Sequence, residues 1–146
     1  MTEPADSPAI SLPEVDLAAE RLLNVIDAAC ESAVDFPDQL DAALGAILAL
    51  FAAEPELIRA LTDRSVPELV LDRQRRCRKS CVARLRAAAD RAADIEARPL
   101  AVEPFLVASV QFQVSRALRD GETHLLPESR RDLRDFLLVY YREPLN

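Results

Sequence analysis

The chain has 146 residues, enough for one domain with a sizeable core, and half of them are hydrophobic. Only two glycines occur and tryptophan is absent, which favours helix over sheet and leaves no glycine-rich phosphate loop. Residues 1–72 hold fifteen acidic groups against three arginines, net −12, and residues 73–146 are net +5; an overall −7 is not the balance of a nucleic-acid binder.

Residues 1–12, MTEPADSPAISL, are acidic and contain proline. They lack the basic start and apolar stretch of a signal peptide and read as a disordered lead-in. The spacing predicts a first helix from near Pro13, with Glu14 and Asp16 complementing the positive end of its dipole. Val15, Ala19, Leu22, Ile26, Ala29 and Ala33 recur at helical intervals, and the pattern ends near Val34. Asp35 or Phe36 caps a second helix with Pro37 in its first turn. Leu40, Leu44, Ile47 and Phe51 form its stripe, widened by Ala43, Leu48 and Leu50, so this helix is expected to be central.

After Pro55 a short helix follows, with Leu57, Ile58 and Leu61 inward. A long one is then expected from about Pro67 to Ala97. At 100° per residue, Val70, Gln74, Cys77, Cys81, Leu85 and Ala88 share one narrow stripe, and seven Arg and Lys residues between 73 and 86 surround the rest. A helix over 102–119 carries an apolar arc of Leu106, Val110 and Val114. Gln113 borders one edge of that arc and Gln111 the other, while Phe105 and Phe112 face away. Gly121 is expected at positive φ just past the helix end. Pro127 opens the last helix, whose main stripe is Leu133, Phe136, Leu137 and Tyr140, with Leu138 and Tyr141 adding a second surface. No run of 18 apolar residues occurs, so no membrane span is expected. These elements make an all-α fold, one helical bundle domain of about six helices over residues 13–143.

Chemistry-bearing residues are few. Three cysteines, an odd number, argue against a disulfide framework and fit a reducing cytoplasm. With His124 the only histidine, and in a turn, no metal site, cofactor or enzymatic centre is expected. The basic run of 73–86 reads as a solvated helix face, because a phosphate footprint would cluster on one side. A few polar groups in an apolar interior are what a small-molecule pocket requires, so Gln74, Cys77, Cys81 and Gln113 are the candidate ligand-binding residues. For the glutamines the competing reading is solvent exposure or a hydrogen bond to a neighbouring helix. For the cysteines it is plain core packing, or a redox-sensing thiol pair activated by basic neighbours.

Two stretches resemble the regulatory domain of the tetracycline-repressor (TetR) family of transcription factors. One is LALFAAEPELIRALT, residues 48–62, with Pro55, Glu56, Leu57, Arg59 and Leu61 in the family's short-helix pattern. The other is RALRDGETHLLPESRRDLRDFLLVYY, residues 116–141, with Gly121, Glu122, Thr123, Leu126, Pro127, Glu128, Leu137, Leu138 and Tyr141 matching the family's ending. The resemblance spans about residues 17–142. It implies a ligand-binding and dimerising domain whose last two long helices pair with those of a second subunit as a four-helix bundle. The surplus apolar surface of Phe136 to Tyr141 agrees with that, and Phe105, Phe112, Phe136, Leu137, Tyr140 and Tyr141 are the expected dimer interface. Family members carry a helix-turn-helix before this domain; the residues ahead of Pro13 do not match one, so no DNA-contacting residue is carried over. The expected partners are therefore a second copy of the chain, a small apolar ligand, and in one alternative a full-length regulator that this chain modulates by heterodimerisation. Direct nucleic-acid or membrane binding is not expected.

Overall fold

The computed structural model of the chain describes residues 9–92, 95 and 98–141. Among the described residues six α-helices follow one another: α1 (Leu12–Glu31), α2 (Phe36–Ala53), α3 (Glu56–Thr62), α4 (Glu68–Arg91), α5 (Val102–Arg119) and α6 (Arg130–Leu138), with 3-10 turns at Thr123–Ser129 and Val139–Tyr141. Among the described residues there is no strand. The fold is all-α, a bundle of helices.

Local chemistry sets most helix starts. Ser11 caps α1 in a reciprocal box: its hydroxyl accepts from the Glu14 N–H at 3.2 Å, and the Glu14 carboxylate accepts from the Ser11 N–H at 3.1 Å. Asp35 caps α2 by accepting from the Asp38 N–H at 2.9 Å. The expected disordered lead-in falls mostly on residues 1–8, outside the described residues, but its end is structured: Ile10 is buried in the core.

α2 lies at the centre, packed by α1, α3, α4, α6 and the 123–129 turn. It is 18 residues long and, by length and composition alone, apolar enough to cross a membrane, although polar residues interrupt its apolar run. Its neighbours account for that apolarity. Leu40, Leu44, Leu48 and Phe51 are buried on one side and Leu50 on another.

Two expectations about length are corrected. α4 ends at Arg91, not Ala97, where Ala92 takes an extended backbone. Turning there lets Arg98 fold back onto Asp90, 3.1 Å away, and onto Glu103. The last helix is also short. Thr123–Ser129, Pro127 included, is a 3-10 turn, and α6 itself spans nine residues. Its buried face is Leu133, Leu137 and Tyr141, spaced i, i+4, i+8, rather than the expected stripe containing Phe136 and Tyr140.

The uneven charge of the sequence is resolved in pairs across helices. Arg73 and Arg84 of α4 reach Asp16 and Asp27 of α1 at 2.6 and 2.7 Å. Arg21 of α1 pairs with Glu54 after α2, and Arg130 of α6 with Asp41 of α2 at 2.8 Å. Gly45 lies under the Arg130 guanidinium, which would stand 2.6 Å from a Cβ at that position. Each exposed pair stabilises by at most about 1 kcal/mol, but together they fix which helices are neighbours.

Candidate functional site

α1, α2, α4 and α5 do not close completely on one another. Between them, with Leu61 and Thr62 of α3 and Leu137 of α6, lies a cavity of about 160 Å³. Its wall is almost entirely apolar: Leu22 and Ile26 from α1, Leu44 and Phe51 from α2, Leu85 from α4 and Val110 from α5 contribute to it. A cavity of this size and lining is comparable to engineered ones of about 150 Å³ that hold benzene.

The polar groups on the wall come chiefly from α4. Gln74, Cys77 and Cys81, three of the four expected ligand-binding residues, all line the cavity, and the fourth does not. Gln113 is exposed and lies on the outside, in a groove with Phe105, Phe112 and Phe136. Its neighbour Gln111 lines the cavity instead. Both glutamines border the apolar arc of α5 in the sequence, and only the rotation of the helix decides which faces inward.

Gln74 is 2% exposed, and both readings of it hold in part. Its Nε2 donates to the carbonyls of Ala60 at 3.1 Å and Asp63 at 2.8 Å, tying α4 to the end of α3. Its Oε1 accepts no hydrogen bond from a described residue. No fully sealed side-chain oxygen or nitrogen among the described residues lacks a partner, so this oxygen is not completely sealed, and Gln74 lines the cavity.

Cys77 and Cys81 touch one another across one helical turn. The hydrogen bond from the Cys81 thiol holds Cys77 below the ordinary thiol value, aided by Arg78 and Arg84 and opposed by burial. The same contact, with burial, pushes Cys81 well above that value. Cys30, the third free cysteine, also lines the cavity and is raised by burial and by Asp27. Two guanidiniums that the sequence reading assigned to the solvated face, Arg78 and Arg84, are half-buried and reach the cavity wall. They are one and seven residues beyond Cys77; a wider stripe projected on α4 would have included Arg84 and Arg78 at its edges.

On the opposite side of α5 the rings of Phe105, Phe136 and Tyr140 form a cluster, with Tyr140 5.6 Å from each phenylalanine. Phe105 is 50% exposed, Phe112 60%, and Phe136 and Tyr140 39% each. Of the six expected interface residues, these four share an outward face. Leu137 and Tyr141 do not: they are 2% and 8% exposed and belong to the chain's own core. Tyr141 packs edge-on against Phe36 at 4.8 Å and donates its hydroxyl to Glu103 at 2.9 Å. The i, i+4 spacing of Leu133, Leu137 and Tyr141 takes them together to the inside.

Glu103 is the buried ionic centre that sequence reasoning missed. It is 1% exposed and receives Arg98, the Tyr141 hydroxyl and Arg86 Nε, the last at 3.3 Å. Burial alone would raise its carboxyl, but these donors together hold it below the ordinary glutamate range. Nothing in its position, second in a helix after a proline-containing loop, distinguishes it from an exposed first-turn glutamate. Its role is structural, fastening the start of α5 to the end of the chain.

No protein-family model, curated protein or solved structure matches the chain.

Proposed function

We propose that the chain is a ligand-sensing and dimerisation domain of the kind found in tetracycline-repressor-like regulators, working as a homodimer. The observation that carries this reading is the cavity: a largely apolar space among four helices, carrying only a few polar groups. A ligand that favours one helix arrangement shifts the population toward it. The exposed rings of Phe105, Phe112, Phe136 and Tyr140 support a second copy as the partner, since a contiguous apolar patch on one face is a usual mark of an interface. A full-length regulator could present the equivalent face, which would make the chain its modulator. The pairing of Arg73, Arg75, Arg84 and Arg86 with carboxylates supports a role that does not involve nucleic-acid contact by this chain. Its free cysteines fit a reducing cytoplasm.

Indole is a suitable first probe, an apolar body with one N–H for Gln74 Oε1 or Gln111. At a hundredfold its Kd it would stabilise the native state by about 2.7 kcal/mol and raise the melting temperature accordingly. Ala43→Leu, which fills the wall from α2, should abolish that rise while the unliganded protein still melts cooperatively. Equal stabilisation of parent and variant would place the indole elsewhere, and no stabilisation of the parent by any apolar probe would remove the reading.

A further inference from the structure

Two cationic side chains stand at the wall of this otherwise apolar cavity, and they differ in one respect. Arg84 is engaged: its Nε and a terminal nitrogen grip both oxygens of Asp27, at 2.7 and 3.0 Å. Arg78 makes no hydrogen bond or ion pair with any described residue. Its surroundings leave it uncompensated. Burial and the like charges of Arg64 and Arg75 depress its pKa, and only the Cys77 thiol acts in the other direction. A half-buried guanidinium beside a hydrocarbon wall, with other cations near it and no ion pair to a carboxylate among the described residues, is an incomplete electrostatic arrangement.

Its position on α4 extends the pattern. Gln74 is four residues earlier, one turn along the same face, and its Oε1 has no donor among the described residues. The side chain of Gln111, across the cavity on α5, makes no hydrogen bond with a described residue. One side of the cavity thus offers a cation one turn from an acceptor without a described donor, and the rest offers mainly apolar surface about large enough for a single ring.

We infer that the cavity takes a small monocarboxylate, an aryl or short branched acid whose apolar body fills the space among α1, α2, α4 and α5 and whose carboxylate pairs with Arg78. Planar two-pronged recognition of a carboxylate is what a guanidinium provides, and such a pair gains strength where the ligand body excludes water. A hydroxyl on the ligand within reach of Gln74 Oε1 adds one further hydrogen bond. The anion also relieves the repulsion among Arg78, Arg64 and Arg75, so ligand charge, and not merely ligand size, couples to the packing of α4. This assignment rests on the proposal that the cavity is a ligand site.

Calorimetric titration with phenylacetate, phenylacetamide and toluene separates the two claims. The acid should bind the parent at least about tenfold tighter than its neutral amide, with an affinity that falls as salt is added. Arg78→Gln should bring acid and amide to the same affinity, while Arg76→Gln, an exposed neighbour outside the cavity wall, should leave the tenfold preference intact. If toluene and phenylacetamide bind but phenylacetate binds no better, the carboxylate assignment is wrong and the cavity remains a ligand site. If none of the three binds, both claims fall together.

Discussion

Glu103 shows how one residue is held charged inside an apolar bundle. A lone buried carboxylate would be protonated or excluded; here Arg98, Arg86 and the Tyr141 hydroxyl supply donors to it. Its folded-state proton affinity is thereby lower than in the unfolded chain. Stability from this group is complete above the unfolded value, about 4.5, and is lost as pH falls through the depressed folded value. Glu103→Gln keeps the shape but leaves Arg98 facing a neutral amide. We expect it to cost roughly 1–3 kcal/mol near pH 7, and the gap to the parent to narrow toward pH 3, measured by urea denaturation at a series of pH values. A gap that stays constant with pH would mean that the carboxylate charge is not what Arg98 and Tyr141 recognise.

Among the elements, the end of α5 has the most specific geometry. Gly121 has φ +69°. The Glu122 N–H reaches back to the Ala117 carbonyl at 2.8 Å and the Gly121 N–H to Leu118 at 3.2 Å, closing a Schellman motif. That reversal delivers the 123–129 turn onto α2 and sets the direction of α6. A Cβ at Gly121 would meet open space, so the penalty for alanine there is conformational and not steric contact with other residues. Gly121→Ala should lower stability by about 1–2 kcal/mol in chemical denaturation, and Gly121→Asn by less, because asparagine tolerates the left-handed region. Equal stability of the alanine variant and the parent would show that the chain can reverse here without positive φ.

At the scale of the molecule, the outward ring cluster is the face on which the proposed dimer would be built. Phe136 lies outside the buried core but touches the rings of Phe105 and Tyr140, so Phe136→Arg should cost the monomer about 1 kcal/mol and leave it folded. In a dimer built on this face it would place an unpaired charge among the partner's rings. Sedimentation velocity over a concentration series should then find the parent self-associating and the variant monomeric at the same concentrations. A variant that dimerises with unchanged affinity moves the interface away from α5 and α6, and with it the roles proposed for Phe105, Phe112 and Tyr140.

The sequence by itself determined the helical class, the number of helices, the centrality of α2, the bounds of α5 and the positive φ of Gly121. All of these follow from local chemistry: apolar period, caps, prolines and the conformational freedom of one glycine. It also placed Gln74, Cys77 and Cys81 on one face, because α4 is regular through that stretch. The tertiary structure decided what periodicity leaves open. A helix with apolar residues on two sides has no preferred inside, so whether Gln111 or Gln113 meets the cavity, and whether Tyr140 or Tyr141 joins the core, depends on how α5 and α6 are rotated against α2. Long-range charge pairs were equally out of reach. Glu103 and Tyr141 are thirty-eight residues apart in the chain and 2.9 Å apart in space, and no spacing rule connects them. The same is true of Arg78, whose proposed role rests on its having no hydrogen bond or ion pair among the described residues, a property that no spacing in the sequence defines.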